Sequence, residues 1–270
     1  MAVKRPLPIL ISIPHGGMIV PPKLRRFCRL NLADILYDGD TYSADLYAVE
    51  EEVESWHCFN LARAVVDLNR APDDRPPLNP DGVVKTVTLA GQNIWKDPAG
   101  LGPSNIDYLL KEYYYPYHRR LEESMRTGRI ELAIDCHTML ADAAACDKNA
   151  GMKRPLVCLS NRGDERGEEA GQPLTAPPSL LRELAHILEG RLKDIAAAEA
   201  PAVRLNDPFK GGYITARHGT SGNVPWIQVE FNRSLYLAAS PERARPGRQT
   251  AARIASVRSC FVGALKELLF

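Results

Sequence analysis

The sequence predicts a single α/β domain over residues 1–270, with a mixed, mostly parallel central sheet and helices on both faces. Three observations carry that prediction. Short apolar runs alternate with longer stripes of i, i+3, i+4 periodicity. Several of the runs stop at a turn or polar residue, as the central strands of a parallel sheet do. No internal repeat, low-complexity tract or linker-like break divides the chain.

Residues 8–13, Pro-Ile-Leu-Ile-Ser-Ile, read as the first strand. Lys4 and Arg5 ahead of them give a faint likeness to a secretion signal, but the run is short, contains Pro8 and lacks a small-residue cleavage site. Residues 41–53 read as a helix. Residues 64–68 read as a second strand, followed by a long loop over 71–104 rich in Pro, Asp and Gly, with one hairpin strand at 85–89. Ile106, Leu109, Leu110, Tyr113, Tyr114, Tyr117 and Leu121 form a helical stripe, which Pro116 should kink or break. Strands are expected at 132–135, 156–160, 203–205 and 227–231, with a polar loop over 161–179. A helix carries Leu180, Leu181, Leu184, Ile187, Leu188, Leu192 and Ile195; another carries Ile254, Val257, Phe261, Leu265 and Leu268.

Composition limits the partners. Lys+Arg 34 against Asp+Glu 33 leaves a net charge of +1, which excludes nucleic acid and anionic membrane as default partners. No apolar run approaches the ~18–20 residues that cross a bilayer. The six cysteines (Cys28, Cys58, Cys136, Cys146, Cys158 and Cys260) lack CxxC spacing, so neither a zinc ribbon nor a disulfide framework is expected. A reducing cytoplasm follows, with most thiols as core filler. Oligomeric state leaves no signal in the sequence.

Ligands in open α/β sheets bind at the carboxyl ends of the strands. Four expected strand ends carry chemistry: Pro14-His15-Gly16-Gly17, Asp67-Leu68-Asn69-Arg70, Asp135-Cys136-His137-Thr138 and Val229-Glu230-Phe231-Asn232. His15 is placed for a metal, with an anion loop or a plain turn as the competing readings. Asp135 and His137, two apart on a strand, share a face. Asp135 can therefore orient a metal-bound imidazole, His137 or His15, or simply hydrogen-bond to it. A catalytic zinc normally needs a third protein ligand. Met18 stands where a carboxylate three residues after His15 would have been. Asp40, expected to open the helix at 41, is favoured over Asp38, and its competing role is an N-cap.

Glu230 suits a general base, or else an ion pair with Arg233. Arg70 ends a buried run and must pair with a carboxylate, either internal or on a substrate. Arg63 can reach the same cleft. In Phe209-Lys210-Gly211-Gly212-Tyr213 the amides of Gly211 and Gly212 can bind an anion, though most such turns are only turns. His218, expected on a loop, is a candidate substrate contact. His57, His118 and His186 are read as structural, His118 also as a possible pocket liner.

These four motifs, in order and spacing, together with Pro208-Phe209-Lys210-Gly211-Gly212-Tyr213, resemble the N-formylglutamate amidohydrolase family. The resemblance runs from about residue 10 to 233. It implies a fold related to zinc carboxypeptidases and aspartoacylase-like deacylases, one Zn2+ ion and a small-molecule carboxylate substrate in histidine degradation. Residue by residue, it implies zinc on His15 and His137, a substrate carboxylate on Asn69 and Arg70, and Glu230 as the base. The related hydrolases carry an HxxE zinc motif, from which Met18 departs, so an acid near Asp40 must stand in. Arg63 is then expected to support the developing oxyanion.

Overall fold

Hydrophobic alternation along three neighbouring strands decides the architecture. In the computed structural model, which describes residues 5–143, 150–196, 202–238 and 243–270, the strands are β1 (Leu7–Ile13), β2 (Val53–Cys58), β3 (Leu132–Met139), β4 (Val157–Ser160), β5 (Val203–Leu205) and β6 (Trp226–Asn232). They form one six-stranded sheet in the order β2-β1-β3-β6-β4-β5. Every neighbouring pair is parallel except β4 with β6, so the sheet is mixed and mostly parallel. Lys4 and Cys146 lie outside the described residues.

The helices are α1 (Pro22–Arg25), α2 (Leu32–Asp38), α3 (Ser43–Leu46), α4 (Pro103–Leu109), α5 (Tyr115–Met125), α6 (Pro178–Leu192), α7 (Tyr213–Thr220) and α8 (Arg248–Leu269), with a π-helical turn over Leu110–Tyr114. Ile9, Ile11, Ile13, Ile134, Cys136, Val229 and Phe231 face one side, against Leu181, Leu184 and Leu188 of α6 and Val257, Phe261 and Leu265 of α8. Leu10, Ala133 and Trp226 face the other side, against Leu109, Tyr114, Tyr117 and Leu121. Period-2 side chains thus feed two apolar layers, and both require helices over them. No helix among the described residues is long and apolar enough to cross a membrane.

Four local expectations change. Residues 64–68 are not a strand: Ala64, Val65, Val66 and Leu68 are buried, but the chain turns there. Its polar backbone is met locally, with Asp67 N donating to Val83 O (2.8 Å) and Asn69 N to Asp67 Oδ1 (2.9 Å). Burial alone therefore satisfied this apolar run without a ladder. The helix over 41–53 shrinks to α3, and Val53 opens β2 instead, because the free edge of β1 offers a parallel ladder to that segment. The helical run is not broken at Pro116: the backbone stays helical from α4 into α5, and the missing N–H is accommodated by the π turn just before it. The hairpin strand at 85–89 reduces to a single bridge between Val87 and Asn93.

Of the six cysteines, Cys136, Cys158 and Cys260 are buried, while Cys28 and Cys58 are half-buried; all five are free.

Candidate active site

The register of β1, β3 and β6 builds one wall of the site. Ser12 pairs with Asp135, Asp135 with Gln228, and His137 with Glu230. Paired residues in a parallel ladder share a face, so these side chains form a buried polar stripe at the carboxyl ends of the strands. His15 follows β1 directly. Gly17 after it lets the chain approach Asn60, whose backbone a Cβ there would meet at 2.0 Å. A cavity of about 320 Å³ opens over the stripe, bounded by His15, Asp40, Arg63, Asn69, Arg70, His137 and Glu230.

Two carboxylates hold the two histidines from behind. His15 Nε2 lies 2.8 Å from Asp67 Oδ1, and His137 Nε2 lies 3.1 Å from Asp135 Oδ2. A carboxylate can only accept, so these contacts favour a proton on each Nε2, which leaves Nδ1 as the atom that a metal would take. The Nδ1 atoms then face Asp40: Oδ2 is 3.0 Å from His137 Nδ1 and 3.5 Å from His15 Nδ1. One ligand atom from each of His15, Asp40 and His137 lies within 4.8 Å of the others. Two imidazoles and a carboxylate with both tautomers set from behind fit a divalent metal. Burial by itself would raise the Asp40 carboxyl, but His15 and His137 beside it hold it well below the usual range.

The partner of His15 is Asp67, a residue the motif Asp67-Leu68-Asn69-Arg70 contains but whose side chain the sequence left without a site role. Asp135 serves His137, and also accepts from Ser12 Oγ (3.0 Å) and Thr215 Oγ1 (3.3 Å). Asp40 does not open a helix. It lies in the turn between α2 and α3, and the N-cap position of α3 is Tyr42. Its carboxylate accepts from Thr138 N (3.1 Å), with Arg233 Nη2 at 3.5 Å. Arg233 thus braces the Asp40 segment, donating also to Gly39 O and Thr138 Oγ1, and makes no ion pair with Glu230. Asp38 faces away from the histidines: both its oxygens take Lys85 Nζ (2.9 and 3.0 Å), and one takes Leu89 N.

The two aspartates should therefore fail differently. Asp40→Asn is expected to weaken metal binding and to cost stability at neutral pH, because the fold stabilises its ionised carboxylate. Asp38→Asn should leave metal binding near wild type but cost about 3 kcal/mol, the low end for breaking a buried pair, because Asp81 still faces Lys85. Metal titration and thermal melting of both variants check this; equal metal affinity in wild type and Asp40→Asn would remove Asp40 from the ligand set.

Glu230 is buried beside His137, and Gln228 Nε2 donates to its Oε1 (3.0 Å). Burial pushes its carboxyl up to about 7, against the pull of His137. Asn69 lines the cavity with its Oδ1 accepting from Ile214 N (2.8 Å), and Gly212 packs so closely on it that a Cβ there would meet its side chain at 2.2 Å. Gly211 and Gly212 also line the cavity, but the Gly212 amide is spent on Gln228 Oε1 (2.7 Å). Arg63 is tied to Asp67 (Nε, 3.0 Å) and to Asp38 O (Nη1, 3.1 Å). Arg70 lines the cavity and holds Asp81, Nη2 to Oδ2 at 2.7 Å and Nε to the backbone O at 3.0 Å.

His218 departs from expectation. It sits in α7, not on a loop, buried with its Nε2 3.0 Å from His118 Nδ1 and stacked on Trp226, and it is not among the cavity-lining residues. Sequence spacing could not see this, because the helix that buries it starts at the glycine turn. Among the polar lining residues that sequence reasoning missed are Gln228, Asp81 and Arg154, which stand two residues before Glu230, inside the long loop, and ahead of β4. Only Gln228 had a signal, its strand periodicity with Glu230.

The chain is 28% identical over 247 residues to an N-formylglutamate deformylase of Pseudomonas aeruginosa, covering 86% of this chain and 82% of that one. It is 27% identical over 248 residues to one from Pseudomonas putida, with the same coverage. The crystal structure of an N-formylglutamate amidohydrolase from Ralstonia eutropha JMP134 shares the fold, with a TM-score of 0.77 at 20% identity over 98% of this chain and 95% of that one. The family model for N-formylglutamate amidohydrolase matches residues 7–237, and the chain belongs to that family.

Proposed function

We propose that this protein hydrolyses the amide bond of N-formyl-L-glutamate, or of a similar N-acyl amino acid, to formate (or the corresponding acid) and the free amino acid. One zinc ion held by His15, Asp40 and His137 completes the site. The observation that carries the reading is a pair of carboxylate-backed histidines meeting one aspartate in the cavity that also holds a buried glutamate. When bound, such an ion supplies Lewis acidity that polarises a carbonyl and acidifies water.

The side chains divide the remaining work. Glu230, its carboxyl raised by burial to about 7, takes a proton from the attacking water and returns it to the leaving amine. Asp67 and Asp135 hold the imidazoles in one tautomer. Arg63 steadies Asp67 from the other side, and so acts through it rather than on the oxyanion. Arg70, supported by Asn69, receives a substrate carboxylate. The test is elemental analysis of the purified protein beside an assay for formate release from N-formyl-L-glutamate. About one zinc per chain with turnover supports the reading; metal-free protein that is inert after zinc loading refutes it.

Arg70→Lys separates a substrate clamp from an internal brace. Lysine cannot reproduce the planar fork of the guanidinium. The variant is expected to lose about ten- to a hundredfold in kcat/KM, matching ~1.5–3 kcal/mol for one charge-assisted pair. Amidating the carboxylate that Arg70 receives should cost the wild type heavily and the variant little. Equal losses on free and amidated substrates would mean that Arg70 does not touch the carboxylate.

A further inference from the structure

The cavity wall at Arg70 already holds a carboxylate. Asp81 Oδ2 takes Arg70 Nη2 at 2.7 Å, while its Oδ1 lies 2.9 Å from Lys85 Nζ and 3.7 Å from Arg63 Nη2. Three cations thus converge on one side chain. Two of them have other anchors, Arg63 on Asp67 and Lys85 on Asp38. Among the described residues, Asp81 is the carboxylate that Arg70 hydrogen-bonds, while Asp67 acts on it through space.

Exposure is distributed unevenly over this cluster. Lys85 is 0% exposed, Arg63 11% and Arg70 31%, whereas Asp81 is 39% exposed. The anion is therefore the member that reaches water with the least change in solvation, and the cations are the fixed frame. Burial would raise the Asp81 carboxyl, but Arg63, Lys85 and Arg70 hold it below its ordinary value, as a seat built for a carboxylate should. Both Asp81 and Arg70 line the same cavity as His15, His137 and Glu230. The backbone around Asp81 is pinned on two sides: Asn79 Oδ1 accepts from Asp81 N (3.0 Å), and Asp81 O accepts from Arg70 Nε (3.0 Å).

We propose that Asp81 is a specificity-determining residue whose carboxylate fills the seat made by Arg63, Arg70 and Lys85, and that a carboxylate of the substrate takes this seat by displacing it. The inference deepens the deacylase reading, on which it rests for the substrate's passage into the cavity. An internal occupant lowers apparent affinity in proportion to the time it fills the seat. It also selects against neutral ligands, which cannot compensate the cations once Asp81 leaves them. A seat open one-tenth of the time weakens apparent binding about tenfold.

The test uses the zinc-loaded protein and glutarate, a dicarboxylate with no scissile bond. Asp81→Asn is expected to bind glutarate about tenfold more tightly by calorimetry, and to show the change in KM rather than kcat with N-formyl-L-glutamate. Unchanged or weaker glutarate binding by the folded variant would mean that Asp81 only orients Arg70, and would overturn the proposal. A crystal structure of the wild type with glutarate decides the matter if the variant does not fold. Arg70 bonded to glutarate with Asp81 turned away supports displacement; Arg70 still on Asp81 refutes it. Because glutarate binding is read without turnover, tighter binding by a protein that releases no formate would refute the deacylase reading alone.

Discussion

Glu230→Gln is expected to lower kcat on N-formyl-L-glutamate by about 10²–10⁴-fold, the usual worth of a positioned general base, while the zinc stays bound. The side chain is buried at the end of β6, opposite His137 in the ladder, and Gln228 fixes one of its oxygens. Glutamine keeps that shape and loses the proton-accepting capacity. Only the ionised carboxylate accepts a proton, so kcat/KM of the wild type should rise as pH passes about 7, and the variant should lose that limb. Stability has the opposite sign. A carboxyl raised by burial favours the folded state below its ordinary value and surrenders that contribution as pH rises through about 7. The glutamine variant does not ionise and should therefore match or exceed the wild type in melting temperature at pH 8. Stopped assays across pH and melting curves at pH 5 and 8 check both halves. A variant that purified without zinc would make Glu230 a ligand instead of the base.

His137→Ala and His15→Ala are each expected to abolish stoichiometric zinc and, with it, turnover. Each substitution removes one of the three candidate ligands that meet in the cavity among the described residues. A graded comparison strengthens the test: Asp135→Asn and Asp67→Asn leave the imidazoles in place but release their tautomers, which should weaken metal binding by about 10- to 100-fold rather than eliminate it. The fold should survive His137→Ala, because β3 is held by ladders to both β1 and β6 whatever its side chain at that position. Elemental analysis and circular dichroism on the same preparations read the two effects separately. Retention of one zinc per chain by either alanine variant would exclude that histidine as a ligand.

Much of this site was legible from the order of residues. The ends of β1, β3 and β6 could be recognised because a buried parallel strand is a continuous apolar run, and His15, His137 and Glu230 interrupt those runs where ligands bind. The helical stripes of α6 and α8 were equally plain, since 3.6-residue periodicity is local. The 64–68 run misled for the same reason it attracted notice: apolarity reports burial, and Val65 and Val66 reach the core from a turn.

What the sequence by itself determined is the α/β class, the strand ends that carry chemistry, and the residue types able to hold a metal and move a proton. Only the tertiary structure decided which of them meet. It turned Asp40 toward both histidines and Asp38 toward Lys85, placed Asp67 behind His15, buried His218 in α7, and set Asp81 on Arg70. These are contacts between residues from 11 to about a hundred positions apart, apart from the burial of His218. No local periodicity encodes them, because they follow from sheet order and loop packing, which exist only once the whole chain has folded.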